Sequence, residues 1–335
     1  MYLSIKERKA ISKLCSLIGN CQLRILKGVS IQMWKSLFIH IAFLLTALSA
    51  FGQVGPDDQY ILGADSQVQA GVPEGRVMQF DHLVSKVFAG LDHTWWLYIP
   101  PGYDKKKALP IMVFQDGYIY AARDGRWRVP VVLNNLIAKK EIPPMAAVFI
   151  NPGTGYMQGP DGSPMTSAAG IRLDEYLAMT DQYARFIVED VFPEVRKYVK
   201  ITDDPEGRAL AGWSAGGFCA FNAAWQRPDQ FRKVFSNNGT LQMGAPPANP
   251  GSPPDPGTTY PMKVKASEKK PLRVWHQTGE NDNPGPLTSN KAIAEAFKEK
   301  GYDTQFVLGT GSHSDRHAAS VFPDAMRWLW RDYPK

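Results

Sequence analysis

The chain has 335 residues and a formal net charge of +6, with 44% hydrophobic and 21% charged side chains. This composition is typical of a globular protein with a sizeable core, and nothing in it suggests a collagen, a repeat array or a disordered chain. The whole net charge lies in residues 1–35, which hold seven basic residues and one acidic residue, whereas the rest balances 31 basic against 31 acidic residues. Because a neutral body has no overall field that attracts phosphate backbones, we expect no nucleic-acid partner.

Residues 1–52 are predicted to be a targeting leader. Lys35 precedes an apolar run over residues 36–52 that ends in small residues, and a polar stretch follows. A basic flank, an apolar centre and small residues are the three parts of a secretory signal peptide. We expect residues 33–52 to be its functional part, cleavage to follow Gly52, and the mature protein to be periplasmic or secreted.

An uncleaved membrane anchor is the alternative for the same run. The run has 17 residues and contains His40, which puts it at the short limit for crossing a bilayer. We therefore expect no stable membrane anchor after cleavage. Cys219 is the only cysteine beyond the leader, which argues against a disulfide framework.

After a predicted linker at residues 53–75, residues 76–335 are predicted to form one α/β catalytic domain, because strand-like and helix-like stretches alternate. The expected strands are Val77–Val87, Thr94–Ile99, Pro110–Phe114, Ala146–Ile150, Ala209–Gly212, Lys233–Ser236, Leu272–His276 and Thr304–Leu308. The expected helices are Val131–Lys139, Thr180–Val199, Gly216–Gln226, Thr288–Lys300 and Ala318–Leu329. Continuous apolar strands such as IMVF and AAVFI are typical of a sheet that is covered on both faces.

Two segments are predicted to be irregular. Residues 151–170 are rich in Gly, Pro and Ser and follow a predicted buried strand. Because the carboxyl ends of strands form the ligand crevice of such sheets, this segment either borders the crevice or is a solvated connector. Residues 244–259 are rich in Pro, and we assign them no chemistry.

The strongest motif is Gly-Trp-Ser-Ala-Gly-Gly at residues 212–217. The pattern G-x-S-x-G is typical of a nucleophile elbow, a sharp turn from a strand to a helix that exposes a serine. RALAG before the motif is a short apolar strand, and GGFCAFNAAWQRP after it is a predicted helix, as the elbow requires. We predict Ser214 to be a covalent nucleophile, and the alternative is a glycine-rich turn with an incidental serine.

A serine nucleophile needs an imidazole to accept its proton. Three histidines follow Ser214 in the sequence. His276 lies in a predicted buried strand and is expected to be a core residue. His313 lies in a small-residue loop just beyond the last strand, where it would face the elbow, and is the predicted base. His317, expected on the first turn of the final helix, is the alternative base.

The acid that orients the imidazole should follow the strand before the histidine loop. Asp282 is best placed, and Glu280 is the alternative. His313 and His317 are also an i, i+4 pair with Asp315 between them, but the pair lacks the glutamate of the zinc-hydrolase motif. We expect no metal and no cofactor.

Acyl transfer also requires donors for the oxyanion. The backbone amide of Ala215 is one expected donor, and the amide of Gly117 or Tyr118, after the third strand, is the other. The aromatic residues close to these positions, or beside the serine, are candidates for the substrate site: Tyr118, Tyr120, Trp127 and Trp213. Exposed loop aromatics without a role are the alternative.

Residues 80–333 resemble the esterase D and enterochelin-esterase-like group of α/β-hydrolases, which includes feruloyl and related carbohydrate esterases. The resemblance rests on LPIMVFQDG, IRLDEY, FPEVRKYVKITDDPEGRALAGWSAGGFCAFNAAWQRPDQF, TGENDN, GTGSHS and RWLWRDYP. It implies a cofactor-free α/β-hydrolase fold, with a mostly parallel sheet of about eight strands and helices on both faces. It also implies a triad of Ser214, Asp282 and His313.

The resemblance further suggests that Arg172 and Glu175 lie near the substrate crevice, although an ordinary loop salt bridge would explain this pair equally well. The sequence departs from the family at Gly311-Ser312-His313, where family members usually have Gly-Gly-His.

These features together predict an exported serine esterase that acts through an acyl-enzyme. The expected substrates are small or sugar-linked esters of acetyl or feruloyl type, or siderophore esters. An acyltransferase on the same fold and a non-catalytic binding module are the alternatives, and the complete set of serine, acid and histidine argues against the latter.

Overall fold

The computed structural model describes residues 55–155, 157–158, 164–165, 168–241 and 259–334. The predicted leader and residues 244–258 of the Pro-rich segment lie outside these ranges. Within them, the longest apolar helices fall short of what a membrane span requires.

All eight predicted strands are present and form one sheet. They are β1 (Arg76–Phe80), β2 (Trp95–Ile99), β3 (Ile111–Gln115), β4 (Ala146–Ile150), β5 (Arg208–Trp213), β6 (Lys233–Asn237), β7 (Arg273–Asn281) and β8 (Asp303–Ser312). Their order across the sheet is β1-β2-β4-β3-β5-β6-β7-β8. β2 runs antiparallel to both of its neighbours, and all other pairs are parallel.

The first strand is shorter than predicted. β1 ends at Phe80, and the chain beyond it leaves the sheet and bridges back through Val84 to Asp92. Two short antiparallel pairs lie outside the main sheet, and they join Leu91–Asp92 to Thr154–Gly155 and Met157–Gln158 to Pro164–Met165.

The five predicted helices are also found, with small changes in their bounds. The α-helices are α1 (Tyr118–Ala121), α2 (Val129–Ala138), α3 (Ala168–Leu177), α4 (Gln182–Phe186), α5 (Phe192–Val195), α6 (Ala215–Gln226), α7 (Tyr260–Ala266), α8 (Pro284–Glu299) and α9 (Arg316–Leu329). A π-helical segment, Ile187–Val191, joins α4 to α5 within the predicted helix Thr180–Val199. The sequence missed α1 and α7, which are too short to show a helical period, and α3, which begins inside the segment predicted to be irregular.

The sheet is covered by helices on both faces, as predicted. In β3, Ile111 and Val113 join the core with α3 to α8, whereas Met112 and Phe114 join the core with α1, α2 and α9. Successive side chains of a strand point to opposite faces, so a strand buried on both faces must be apolar throughout. This explains the continuous apolar runs in the sequence.

Residues 55–75, which the sequence predicts to be a linker, lie against this layered core. Asp65 forms ion pairs with Lys139 and Arg327. A short 3-10 turn at Ala64–Ser66 brings this carboxylate to the surface of α2 and α9.

The parallel strands bring four polar residues to one edge of the sheet. The residues that directly follow β3, β5, β7 and β8 are, respectively, Asp116, Ser214, Asp282 and His313. Because parallel strands end at the same edge, these residues meet where α/β folds bind their ligands.

Candidate active site

Ser214 occupies a strained turn between β5 and α6. Its backbone has φ 57° and ψ −124°, a conformation that L-residues rarely adopt. The turn is so tight that a side chain at Gly212 would clash with the backbone of Gly216, and a Cβ at Gly217 would lie 2.9 Å from the carbonyl oxygen of Asn237. The predicted elbow is therefore present, with the serine at its tip.

Ser214, His313 and Asp282 form a continuous hydrogen-bonded row. Nε2 of His313 lies 2.9 Å from Oγ of Ser214, and Nδ1 lies 2.6 Å from Oδ1 of Asp282. With its proton on Nδ1, the imidazole donates to the carboxylate and accepts the hydroxyl proton of the serine. This is the arrangement that activates a serine as a nucleophile.

The Asp282 carboxylate is buried and well satisfied. Its Oδ2 accepts hydrogen bonds from Asn238 Nδ2 at 2.7 Å and from Thr278 Oγ1 at 2.6 Å, and its Oδ1 accepts one from the amide of Asn283. Burial alone would raise the pKa of Asp282, but the hydrogen bonds from His313, Thr278 and Asn238 outweigh it and lower the pKa. The carboxylate thus stays ionised opposite the imidazole.

The alternatives for base and acid lie elsewhere. Glu280 is exposed. His276 is fully buried in β7, bonded to Asn290 and stacked on Phe306, which confirms that it is a core residue.

His317 lies on the first turn of α9, as predicted, but it turns away from the serine. Its Nδ1 contacts the side-chain amide of Gln277, and its ring stacks on Tyr60. Asp315 pairs with Arg126. Since His313, Asp315 and His317 share no partner, they do not converge on one point, and the described ranges contain no group of three or more side chains that could hold a metal ion.

Comparison with known proteins identifies the family. Residues 89–320 match the family model described as "Putative esterase". The chain belongs to this esterase family. It is a carboxylic ester hydrolase with the α/β-hydrolase fold, as the sequence predicted.

Individual relatives are distant. The chain is 22% identical over 241 residues to the uncharacterized protein YbbA of Bacillus subtilis, which covers 70% of this chain and 91% of YbbA. A ferulic acid esterase of known structure matches with a TM-score of 0.57 at 19% identity, over 77% of this chain and 98% of its own. The enterobactin esterase of Shigella flexneri matches with a TM-score of 0.63 at 18% identity, over 82% of this chain and 63% of its own. At such identities the structures show the fold alone.

The three amides predicted as oxyanion donors differ in what they bind. The amide of Ala215 is the first of α6, so it has no acceptor within the helix. The amide of Gly117 donates to the carbonyl of Ile150, and that of Tyr118 donates to Oδ1 of Asn151, each at 2.9 Å. The Gly117 amide thus donates to a backbone carbonyl, whereas the Tyr118 amide donates to a side chain. This leaves Tyr118 as the second candidate donor.

Two aromatic residues expected in the acyl pocket of the esterase are core residues. Tyr120 and Trp127 are fully buried and pack near Phe114 and Phe322. The expectation for Tyr120 was wrong because residues 118–121 form a helical turn. Successive helical residues are rotated by about 100°, so Tyr118 is 63% exposed while Tyr120 points inward.

Trp213 lies beside His313 in the candidate site. Its ring centroid is 5.2 Å from that of the His313 imidazole, and its Nε1 has no hydrogen-bond partner among the described residues. Trp213 therefore presents an aromatic face next to the predicted base.

Arg172 and Glu175 do not pair with each other in a loop. Both lie on α3 and bind separate partners. Arg172 donates from Nε and Nη2 to the two oxygens of Asp116, each at 2.7 Å. The hydrogen bonds that Arg172 donates to this carboxylate raise the pKa of Arg172 above its ordinary value. Glu175 lies 2.7 Å from Nε2 of His93 and accepts the amide of Gly153 at 3.0 Å.

Asp116 connects α3 to the segment that contains the candidate donor amides of Gly117 and Tyr118. It has φ 61°, and its amide donates to the Tyr176 hydroxyl at 3.0 Å. Its carboxylate lies over the start of α6, since a Cβ at Gly216 would be 2.9 Å from Oδ2. Asp116 thus fixes the backbone that precedes Gly117 and Tyr118.

Sequence reasoning did not single out Asp116, Asn238, Thr278 or His93. Asp116 and Asn238 follow directly on β3 and β6, so their position at the carboxyl ends of strands was a usable signal. Thr278 and His93 lie within or between strands, and the sequence held no comparable signal for them.

Proposed function

We propose that this esterase cleaves its substrates through a covalent acyl intermediate on Ser214. The observation that carries the proposal is the unbroken row of hydrogen bonds from Ser214 through His313 to Asp282. A hydroxyl, an imidazole and an ionised carboxylate in this order are sufficient for nucleophilic and general acid–base catalysis of acyl transfer.

In the first half of the reaction, Oγ of Ser214 attacks the ester carbonyl while Nε2 of His313 takes the hydroxyl proton. The imidazolium that results is stabilised by the Asp282 carboxylate. It then gives its proton to the departing alcohol oxygen as the ester C–O bond breaks. In the second half, His313 takes a proton from water, the hydroxide adds to the acyl carbon, and the carboxylic acid leaves as the proton returns to Ser214.

The negative charge on the former carbonyl oxygen requires donors. The Ala215 amide, at the N-terminal end of α6, would supply one, together with the positive end of the helix dipole. The Tyr118 amide would supply the second after Asn151 releases it. Each donor of this kind contributes about 3 kcal/mol to transition-state stabilisation.

The substrate proposed is an ester with an aromatic or small acyl group, of feruloyl, acetyl or siderophore type. Trp213 beside His313 offers a flat aromatic surface next to the reacting bond, and Tyr118 is exposed near the oxyanion side. Aromatic acyl groups stack on such rings. The similar structures named ferulic acid esterase and enterobactin esterase support this substrate class.

We also propose that the esterase is exported, on the basis of the signal-like residues 33–52. Expression of the full chain in a bacterial host, followed by mass measurement of the product, tests this point. A mature chain that begins at Gln53 is expected, and a cytoplasmic product that keeps residues 33–52 would contradict it.

The mechanism is tested with a panel of nitrophenyl, acetyl and feruloyl esters and a fluorophosphonate label. The label is expected on Ser214, and Ser214→Ala is expected to lose both labelling and turnover. Ser267→Ala, which changes a serine that follows α7, is the matched control and should retain both. Hydrolysis by Ser214→Ala at the wild-type rate would rule the acyl-serine mechanism out.

A further inference from the structure

A segment that precedes the family match contacts the strand that carries His313. This segment, Gly55–Tyr60, is called the strap below. It lies against the last residues of β8, and β8 is the final strand of the sheet order. The strap therefore contacts an edge that no other strand of the described ranges covers.

Side chains of the strap accept hydrogen bonds from two backbone amides of β8, which the carbonyl groups of a ninth strand would otherwise accept. Tyr60 accepts the amide of Thr310 at 2.8 Å, and Asp57 Oδ1 accepts the amide of Ser312 at 3.0 Å. Residues two apart on a strand direct their amides to the same side. An uncovered edge exposes such amides, and here two side chains of the strap satisfy them.

Asp57 also binds the side chain of Ser312. Its second oxygen accepts the Ser312 hydroxyl. Burial would raise the pKa of Asp57, but the hydrogen bonds from the side chain and amide of Ser312 outweigh burial and lower it. An ionised carboxylate thus holds both the amide and the hydroxyl of the residue directly before His313, and such charge-assisted bonds are the strong ones.

The glycines of β8 make room for the strap. A Cβ at Gly309 would clash with the Tyr60 hydroxyl and with the ring of His317, and a Cβ at Gly311 would lie 3.0 Å from Asp57 Oδ1. Tyr60 stacks on His317 with ring centroids 4.1 Å apart. The sequence Gly-Thr-Gly-Ser-His is therefore shaped by contacts with the strap as well as by the histidine loop.

We propose that Asp57 is a positioning residue for the general base. By holding Ser312 at two points, it fixes the backbone directly before His313 and so keeps Nε2 within 2.9 Å of Ser214. The inference rests on the proposed function, because it assigns Asp57 a role in the same reaction.

The first experiment compares Asp57→Ala, Asp57→Asn and Asp104→Ala in the full chain. Asp57→Ala should lower kcat by about 10- to 100-fold, the range for groups that orient catalytic side chains, with little change in KM. Asp57→Asn should restore most of kcat, because its oxygen can accept the Ser312 amide. Asp104→Ala is the control and should keep the wild-type kcat: Asp104 is exposed and lies outside the strap, and its carboxylate accepts the amide of Lys106.

Active sites are counted by fluorophosphonate titration, so that kcat refers to folded enzyme. A wild-type kcat per titrated site in Asp57→Ala would overturn the proposal, even if that variant melts at a lower temperature. Equal losses in Asp57→Ala and Asp57→Asn would also overturn it, because the Asn side chain keeps the positioning bond.

The second experiment is a double-mutant cycle with Ser312→Gly, which removes the hydroxyl that Asp57 binds. Asp57→Ala should lower kcat by a smaller factor in the Ser312→Gly background than in the wild type, because one of the two hydrogen bonds between Asp57 and residue 312 is already absent there. An equal loss of kcat in both backgrounds would contradict the proposal that Asp57 acts through Ser312. Ser214→Ala is assayed alongside. Activity in that variant would contradict the proposed function, whereas an inactive Ser214→Ala with a fully active Asp57→Ala contradicts only the role of the strap.

Discussion

Asn238 donates its side-chain amide to Oδ2 of Asp282 at 2.7 Å, on the carboxylate oxygen opposite the one that faces His313. Asn238 itself has φ 50° and is fully buried after β6. Asn238, which follows β6, thus orients the Asp282 carboxylate, and the carboxylate in turn orients the His313 imidazole. The carboxylate has no freedom to rotate away from the imidazole, and the row of hydrogen bonds depends on it.

The first prediction concerns this carboxylate. Asp282→Asn should lower kcat on the order of 10⁴-fold, because an amide facing Nδ1 favours the wrong imidazole tautomer. Glu280→Gln, which changes an exposed residue near the end of β7, is the control and should keep the wild-type kcat. Steady-state hydrolysis of a nitrophenyl ester measures both. A loss confined to Glu280→Gln would show that the acid was assigned to the wrong residue.

The second prediction separates the two late histidines. His313→Ala should lower kcat by about 10⁴-fold or more, because it removes the base. His317→Ala should lower kcat far less but should reduce the free energy of unfolding by about 2–4 kcal/mol, since it empties a buried position stacked on Tyr60. Kinetics and thermal melting of both variants measure this. The reverse ranking of kcat would identify His317 as the base.

The third prediction concerns the two-point contact between Arg172 and Asp116. Arg172→Lys keeps the charge but cannot bind both carboxylate oxygens in one plane. Because Asp116 fixes the backbone before Tyr118, we expect kcat to fall by about tenfold. The control is Arg123→Lys, whose wild-type side chain pairs with Glu74 at the surface. If both variants lose activity to the same extent, the contact does not act on the oxyanion side.

The fourth prediction is a pH dependence of stability. Burial lowers the pKa of His276 from 6.5 to about 4. Between pH 6.5 and 4 the unfolded chain binds a proton at this histidine that the folded chain does not, so stability falls as the pH falls through this window. The loss from His276 alone should reach about 3 kcal/mol by pH 4.

Urea unfolding at several pH values tests this prediction. His276→Gln, which cannot be protonated, should show a shallower loss of stability from pH 6.5 to 4 than the wild type. Some slope will remain, because burial lowers the pKa of His317 as well. The exposed His82→Gln is the control and should not flatten the curve. An equal dependence of the free energy of unfolding on pH in the wild type and in His276→Gln would show that His276 does not cause the loss.

The sequence was sufficient to predict the sheet and the positions of the candidate triad. Strands buried on both faces must be apolar throughout, so each was visible as a continuous run. The elbow requires glycines around Ser214, and Asp282 and His313 follow directly on strands. These features are local in the chain, and the order of parallel strands then brings them together.

The contacts that orient these residues were not visible in the sequence. Asp116 meets Arg172 across 56 positions, and Asp57 meets Ser312 across 255. No local pattern encodes such pairs, because any of many carboxylates could meet any arginine or serine. Tyr120 was misplaced for a related reason, since a helix of four residues is too short to show which face is buried.

The amino-acid sequence by itself therefore determined the fold class and the residues that follow each strand, because both depend on neighbours in the chain. Only the tertiary structure decided which histidine contacts Ser214, which partners the candidate oxyanion amides have and how the strap contacts β8. Those outcomes depend on hydrogen-bond distances of about 3 Å between distant segments, and they exist only once the whole core has packed.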